Sequence, residues 1–353
     1  MTRRNVFFIL LVGGLLTLGG CLALEPSKST AGTSSSDVKI TRELNQFYTE
    51  LQNPDLTPEE LAVVIDQIAK YTQLESHAKM VSFLNNRVSN YPDDPYNAYY
   101  LWRIADSFED RGNSQSAYQM YYRILRNYPD VIWQNQSVHF VSLLRAINLD
   151  QDTRLTAEFL QQLIHRFPDS VDLGARYLQL AQALEAIGEY PRAYDAYEKF
   201  LTFEDTVIPG KPGIHYLIRE KVAFYHSSKT WIDRDLDALV RNIKNALYYK
   251  NGWSLLRYQA KVNFFAMTWY QERQDFNARP DFELIEFLSQ AKRITYASEL
   301  EFASHGNEAY LRTGGWSPRI PTWFLYFRKI DYPADPQVHG SWEWAGIYFG
   351  EAI

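Results

Sequence analysis

A proline recurs at nearly constant spacing in the first half of the chain. Pro92, Pro129 and Pro168 lie 37 and 39 residues apart, and each follows an aromatic residue and precedes an aspartate. A period in this range is the signature of an array of repeated supersecondary units. Because each unit in such an array packs only on its neighbours, this periodicity constrains the fold more than any other feature of the sequence.

Each proline follows an amphipathic segment. The three segments end in SFLNNRVSNYP, QMYYRILRNYP and FLQQLIHRFP, and in the second Tyr118, Tyr121 and Leu125 recur at helical spacing. Proline cannot continue a helix, and the aspartate after it can cap the next helix by accepting a backbone N–H. The pattern therefore predicts helical hairpins that are separated by the Pro-Asp pairs.

Two of these segments resemble the tetratricopeptide (TPR) pattern residue by residue. The matching positions are Leu101, Ile104, Ala105, Phe108, Gly112, Ala117 and Tyr121 in one segment, and Tyr177, Leu180, Ala181, Leu184, Gly188, Tyr190, Ala193 and Tyr197 in the other. The small Ala105 and Ala181 would let two helices approach closely, and Gly112 and Gly188 would supply the turn. The resemblance implies a mainly α fold, a TPR-like superhelix of helical hairpins.

The neighbouring units depart from this pattern to different degrees. The unit between the two matches keeps its proline but has Leu144 and Gln151 at the small and glycine positions. Upstream, Thr57 and Glu60 have the spacing of a capping box, which indicates that another helix begins there. The Pro-Asp junctions are similar to those in TPR proteins of bacterial envelopes, of the BamD and CpoB type. We expect a TPR-like array over residues 39–205.

Beyond residue 205 the TPR positions are lost but helical periodicity continues. The apolar residues of segment 236–252 fall on one face, and segments 252–274 and 280–302 are typical of two further helices. Residues 206–303 are therefore expected to form off-consensus helical hairpins.

The last segment, residues 304–353, has a different composition. TWFLYFRKID and SWEWAGIYFGEAI are aromatic and β-branched, and the turn-rich YPADPQVHG separates them, so an aromatic β hairpin is predicted. Because two strands alone are marginally stable, they must pack on the helices or pair with strands from 311–321. The tryptophans of this region form either a ligand-stacking surface or a cap that closes the array. They are Trp316, Trp323, Trp342 and Trp344.

The first twenty residues have the layout of a secretory signal. A basic start precedes an apolar stretch that ends at Leu18; the alternative, a transmembrane anchor, needs about 20 apolar residues, more than this stretch has. Residues 18–21, Leu-Gly-Gly-Cys, resemble the bacterial lipobox. The resemblance implies cleavage after Gly20, so that 1–20 is a lipoprotein signal peptide, and attachment of acyl chains to Cys21.

Residues 21–38 are rich in Ser, Thr and Gly and are predicted to be a flexible tether. Cys21 is the only cysteine, so no disulfide framework is expected. Two or more acyl chains on Cys21 would hold the protein stably on a lipid bilayer. Leu22 stands where many lipoproteins that stay in the inner membrane have aspartate, and resemblance therefore implies the outer membrane, facing the periplasm.

No motif for catalysis or metal binding stands out. Phosphate-binding loops, H-E-x-x-H and G-x-S-x-G are absent from the sequence. The S-x-x-K spacings at Ser76–Lys79 and Ser289–Lys292 lack the companion elements of penicillin-binding enzymes. No two of the seven histidines are four residues apart. The net charge of −6, without a basic block, disfavours a nucleic-acid partner. We expect no catalytic residues, no metal and no cofactor.

Partner binding is the remaining class of function. In TPR proteins the first helix of each hairpin lines a concave groove. The resemblance places there Tyr99, Trp102, Asp106, Glu109, Arg145, Leu178, Gln182 and Glu185. The first four are spaced by 3, 4 and 3 residues, which puts them on one helical face. An exposed Tyr99 and Trp102 beside carboxylates would suit a peptide, because aromatic anchors dominate interfaces; alternatively, Trp102 packs against the neighbouring helix pair.

Three functions are therefore considered. The first is a membrane-tethered, non-catalytic TPR scaffold that binds envelope proteins or peptides. The second is a solute- or peptide-binding accessory subunit of an envelope transport system, in which the aromatic C-terminal region helps to enclose the ligand. The third is an envelope enzyme with its site in residues 210–353. A large enclosed apolar pocket would favour the second function, and an open groove the first.

Overall fold

The computed structural model describes residues 35–270 and 283–351. The predicted signal peptide, Cys21 and most of the predicted tether lie outside the described residues. The chain divides into two compact units, Met1–Lys79 and Met80–Ile353. No helix in the described part of the chain is both long enough and apolar enough to cross a membrane.

The described part of the chain is mainly helical, as predicted. Its helices are α1 (Ser35–Glu50), α2 (Pro58–Glu75), α3 (His77–Asn90), α4 (Asn97–Glu109), α5 (Ser114–Asn127), α6 (Val138–Leu149), α7 (Thr153–Arg166), α8 (Leu173–Ala186), α9 (Tyr190–Leu201), α10 (Ile214–His226), α11 (Leu236–Tyr248), α12 (Gly252–Tyr258) and α13 (Leu284–Gln290). Two short strands, β1 (Ile132–Trp133) and β2 (Gln136–Ser137), form a small hairpin before α6. The pairs α4–α5, α6–α7 and α8–α9 are the predicted helical hairpins.

In the first unit, α2 begins with the capping box that the sequence predicts. The Thr57 hydroxyl accepts the backbone N–H of Glu60 at 3.2 Å, and the Glu60 carboxylate accepts the backbone N–H of Thr57 at 2.9 Å. The backbone N–H and the hydroxyl of Thr57, which both donate to the Glu60 carboxylate, lower the pKa of Glu60. The rings of Phe47 on α1 and Tyr71 on α2 pack with centroids 5.7 Å apart.

The small and turn residues of the TPR pattern have the predicted roles in the second unit. Ala105 and Ala181 are completely buried in α4 and α8. Gly112 and Gly188 adopt φ values of +73° and +78°, a conformation that favours glycine. In the intervening hairpin the residue with a left-handed backbone is Asp150, with φ of +39°. The resemblance to the TPR pattern had put Gln151 at this glycine position. Aspartate tolerates this conformation better than most side chains, so the turn survives without glycine.

The aspartates of the Pro-Asp pairs are not the N-cap residues of the next helices, and the prediction is confirmed only for Asp130, whose carboxylate accepts the backbone N–H of His139 in the first turn of α6. The caps of α6 and α8 are Ser137 and Asp172, whose side-chain oxygens accept the backbone N–H three residues on, at 2.9 and 3.0 Å. Asp169 lies in a 3-10 turn, Pro168–Ser170. The proline does end each preceding helix, but the chain needs further residues to reach the next one.

Asp130 instead organises the junction before α6. Its carboxylate accepts hydrogen bonds from the Ser137 hydroxyl at 2.6 Å and from the backbone N–H of His139 at 2.9 Å. The buried His139 ring bridges the Tyr128 carbonyl oxygen, 3.0 Å from Nε2, and the Arg166 guanidinium, 2.8 Å from Nδ1. Because a guanidinium only donates, Nδ1 must accept and Nε2 must carry the proton. The imidazole is therefore neutral.

The second unit ends in a five-stranded sheet, larger than the predicted hairpin. Its strands are β3 (Phe265–Thr268), β4 (Thr295–Tyr296), β5 (Glu308–Gly314), β6 (Thr322–Lys329) and β7 (Trp342–Phe349), in the order β3-β7-β6-β5-β4. β6 and β7 form the predicted antiparallel hairpin, and β5 pairs antiparallel with β6. β3 adds to the other edge and is parallel to β7.

Two of the helices predicted beyond residue 250 are much shorter than expected. Segment 252–274 is helical only as far as Tyr258, and its apolar Phe265–Thr268 is strand β3. Segment 280–302 contains the seven-residue helix α13, followed by β4. A short apolar run has no periodicity that separates a strand from a helix. The predicted boundary at residue 303 therefore divides the elements of one sheet.

The sheet is covered by apolar side chains on both faces, as strand alternation requires. Trp323, Leu325 and Phe327 pack in one cluster with residues of α11, and Phe324 and Tyr326 pack in a second cluster with Phe265. Trp316 stacks on Trp323 with ring planes 2° apart and centroids at 5.0 Å. These two tryptophans and Trp344 are at least 98% buried, so they form a core rather than an exposed stacking surface.

Candidate partner-binding face

Tyr99 is part of the core and is not the exposed anchor that the sequence suggested. Only 2% of its surface is accessible. Its ring stacks on Trp133 of β1 with centroids 4.0 Å apart and planes 22° apart. Sequence reasoning missed Trp133, because the two-residue strands that carry it fall where the repeat has no signature. Leu178, also expected in the groove, is buried as well.

Trp102 is partly exposed and packs on a residue of its own helix. Its ring lies nearly parallel to that of Tyr99, with centroids 6.1 Å apart. The indole Nε1 is buried and has no hydrogen-bond partner among the described residues. The ring is therefore held in place on one side, and helical spacing puts Asp106 and Glu109 on the same face of α4.

Asp106 and Glu109 continue this side of α4 and meet Arg145 of α6. The Glu109 carboxylate lies 3.1 Å from Arg145 Nη1, and Asp106 is 3.9 Å from Arg103 Nη1. Partial burial raises the pKa of Asp106 and of Glu109, and the positive charge of Arg145 partly opposes both shifts. The structure thus places Asp106, Glu109 and Arg145 close together, and Trp102 lies one turn before Asp106 on α4.

The two remaining predicted residues, Gln182 and Glu185, lie on α8, the first helix of a later hairpin. Gln182 is exposed and lines a shallow recess of about 320 Å³ with Asp150 and Gln179. The Glu185 carboxylate accepts hydrogen bonds from Lys221 Nζ at 2.5 Å and from the Tyr197 hydroxyl at 2.6 Å.

Ion pairs connect the first helices of successive hairpins at a fixed spacing. Glu109–Arg145 joins α4 to α6, and Glu185–Lys221 joins α8 to α10, with 36 residues between partners in each case. Solvent-exposed pairs of this kind contribute at most about 1 kcal/mol. Their main effect is to set the charge pattern. We call this surface the first-helix face; its partly exposed members are Trp102, Asp106, Glu109, Arg145, Glu185 and Lys221.

Lys221 is a member that the sequence analysis did not find. Helix α10 has lost the TPR positions, and no motif marks it. The available signal was the spacing of 36 residues, which separates Glu109 from Arg145 and separates Glu185 from Lys221.

Metal ligands do not cluster on this face. Within residues 35–270 and 283–351, no group of three or more His, Cys, Asp or Glu side chains is placed to hold a metal ion. The charged side chains of the face are instead paired across helices. The arrangement leaves an aromatic edge and paired opposite charges at the surface.

A family model identifies the hairpin that carries most of this face. The tetratricopeptide repeat model matches residues 99–130, which contain α5 and most of α4. Residues 99–130 of this chain therefore form a tetratricopeptide repeat. Trp102, Asp106 and Glu109 therefore lie on the first helix of a recognised TPR. No curated protein matches the chain.

Several solved TPR structures are similar to part of this chain. TPR-like repeats of a Podosopora anserina kinesin light chain are 14% identical, with a TM-score of 0.29 over 48% of this chain and 89% of theirs. MamA is 16% identical, with a TM-score of 0.28 over 50% of this chain and 91% of its own. A TPR protein from Parabacteroides merdae is 16% identical, with a TM-score of 0.25 over 63% and 78%. TM-scores this low carry no weight for the fold, which rests on the hairpins described above.

Proposed function

We propose that this TPR protein is a non-catalytic scaffold of the bacterial cell envelope. In this proposal, acyl chains on Cys21 anchor it to a membrane, and envelope proteins or peptides bind to the first-helix face. The TPR match at residues 99–130 carries the proposal, because such repeats mediate protein–protein interactions. The lipobox-like residues 18–21 support the anchoring, and Leu22, in place of an aspartate, supports the outer-membrane, periplasm-facing location.

The geometry of the first-helix face suits a peptide or a protein loop. Trp102 is already ordered by its contact with Tyr99, so little conformational entropy is lost when a partner covers the exposed part of the ring. The Arg145 side chain is 51% exposed and the Glu109 side chain 16% exposed. Charges at the rim of such a face increase the association rate and specificity more than the affinity.

The decisive experiment is affinity capture from solubilised envelopes, followed by mass spectrometry. Removal of an aromatic anchor costs a partner about 2 kcal/mol or more, so Trp102→Ala should abolish capture of the main partner. Trp253→Ala is the matched control, because Trp253 is 79% exposed and lies on α12, outside the face. Equal capture by wild type and a stable Trp102→Ala variant would show that partners bind elsewhere.

Charge variants test the same face without disturbing the core. Glu109→Ala should weaken capture moderately, and more at low salt, where surface charges are less screened. Arg145→Glu places a third carboxylate beside Asp106 and Glu109 and should reduce capture while leaving the melting temperature nearly unchanged. If Arg145→Glu and Trp102→Ala both retain full capture, the first-helix face is not the binding site.

The anchor is tested separately. Cys21→Ser should leave an uncleaved precursor and should abolish incorporation of labelled fatty acid when the protein is produced in a bacterial host. Continued labelling of the Ser variant would refute the lipobox interpretation without affecting the binding experiments.

A further inference from the structure

A recess lies where α8, α9 and α10 meet the sheet. It has a volume of about 540 Å³ and is lined by α8, α9 and α10 on one side and by β6, the loop after it and β7 on the other. This volume falls in the range of small-molecule sites, about 300–1,000 Å³. Its lining includes Tyr194, Lys221, Phe224, Asn263, Arg328 and Tyr332.

Arg328 is held in the wall of this recess by a buried carboxylate. Its Nε donates to Oε1 of Glu343 at 2.6 Å, and Glu343 is only 1% exposed. The other oxygen of Glu343, Oε2, accepts the indole N–H of Trp231 at 2.7 Å. Glu343 is thus fixed from both sides. Because only Nε is engaged among the residues that the structure describes, the terminal nitrogens of Arg328 remain available to a ligand.

A guanidinium held in a fixed orientation can bind an anion that accepts two parallel hydrogen bonds. Arginine presents two parallel N–H groups that match a carboxylate or a phosphate. The recess also contains Lys221 and Lys329, but four carboxylates line it: Glu185, Glu220, Asp331 and Glu343. The lining therefore has a net charge of −1, with three cations and four anions. This balance disfavours a multiply charged phosphate and suits a ligand that carries both signs of charge.

The remaining lining groups further restrict the type of ligand that fits the recess. Tyr194, Phe224 and Tyr332 provide an aromatic wall. Asn263, which precedes β3, has a buried side-chain oxygen without a hydrogen-bond partner among the described residues. An unpaired buried acceptor of this kind costs free energy unless a donor reaches it, and an N–H group of a ligand would be such a donor.

We propose that this recess binds a zwitterionic ligand of the amino-acid or short-peptide class, whose α-carboxylate pairs with Arg328. An N–H group of the ligand donates to Asn263, and its ammonium group lies toward the acidic side chains of the wall. This site is distinct from the Trp102 and Arg145 end of the first-helix face. The result of the ligand-binding test is therefore independent of the result of partner capture at that face.

The test compares ligands that differ only at the carboxylate. The probes are Ala-Ala-Ala, Ala-Phe-Ala and Ala-Lys-Ala, each with a free C-terminus and as the C-terminal amide, together with free alanine and inorganic phosphate. Binding to the unaltered chain is followed by calorimetry and by the indole N–H signal of Trp231, which contacts the residue that holds Arg328. At least one free acid should bind saturably, and its amide should bind at least about tenfold more weakly.

Variants then assign the carboxylate to Arg328. Arg328→Lys keeps a positive charge beside Glu343 but removes the planar fork, so affinity for the free acid should fall about tenfold. Arg319→Lys, at an exposed arginine outside the recess, is the matched control. Asn263→Gly preserves the left-handed backbone at φ of +62° and removes only the amide, and it should also weaken binding.

Each outcome decides for or against the proposal. Free alanine binding as well as the tripeptides would identify the amino acid as the ligand, and weaker alanine binding would identify the peptide. No saturable binding by any free acid, equal binding of acid and amide, or a preference for phosphate would overturn the proposal. Because the comparison of acid with amide uses the unaltered chain, it remains decisive even if Arg328→Lys is unstable.

Discussion

Replacing Ala105 with leucine tests whether the hairpins are packed as the structure shows. Ala105 is completely buried in α4, so the added carbon atoms have no solvent to enter and must displace neighbouring side chains. Overpacking of this kind typically costs about 1–3 kcal/mol. For a unit of this size, 1 kcal/mol corresponds to a change of roughly 2–4 °C in melting temperature. The expected decrease is therefore about 2–12 °C.

The assay is thermal and urea unfolding followed by circular dichroism at a helical wavelength. Ala223→Leu is the matched control, because Ala223 is exposed in the middle of α10 and the change should stay within about 0.5 kcal/mol. Since the chain forms two compact units, the midpoints of the individual transitions are compared. Equal midpoints for the two variants would show that α4 and α5 do not approach closely at Ala105, and would refute the hairpin packing.

Two further predictions concern titratable side chains of the same array. Burial, and to a lesser degree the charge of Asp110, raises the pKa of Asp106 above its ordinary 3.8, so the folded state binds this proton more readily and loses stability as pH rises through the raised pKa. Asp106→Asn should raise the melting temperature at pH 7 and bring little gain near pH 4, whereas Asp205→Asn, at an exposed residue after α9, should not. Burial lowers the pKa of His139 below its ordinary 6.5, so its contribution is complete above pH 6.5 and is lost as pH falls through the lowered pKa. His139→Gln, which can still donate and accept, should remove this acid sensitivity, and His165→Gln, at an exposed histidine, should retain it; identical pH profiles for both variants would contradict the assignment.

The parts of the fold that the sequence predicted are those that local rules decide. Ala105 is small because two helices meet there, and Gly112 is glycine because the turn needs a positive φ. Either requirement can be read from a few neighbouring residues. The cap of α2 by Thr57 and Glu60 is equally local. In the hairpin that lacks the glycine, Asp150 adopts the positive φ that the turn needs, one position before the predicted Gln151.

The mistaken predictions concern elements that depend on contacts between residues far apart in the sequence. Strand β3 forms because Phe265–Thr268 pairs with Gly346–Phe349, about 80 residues further along the chain. Nothing within segment 252–274 signals this pairing, and an apolar run of that length also suits a helix. The burial of Tyr99 has the same origin, since its stacking partner Trp133 lies in a short hairpin outside the helices. Helical spacing shows which residues share a face, but not what covers that face.

The spacing of 36 residues connects the repeat in the sequence with the order of the helices. In an array, residues nearly one period apart lie close together on successive units, so opposite charges at a spacing slightly shorter than the period of 37 to 39 residues can meet across the boundary between units. Glu109–Arg145, Asp130–Arg166 and Glu185–Lys221 all follow this rule. The last pair is the most informative, because α10 has lost the TPR signature. Lys221 contacts Glu185 as Arg145 contacts Glu109. Helix α10 therefore occupies the position of the first helix of one more unit, next to the sheet.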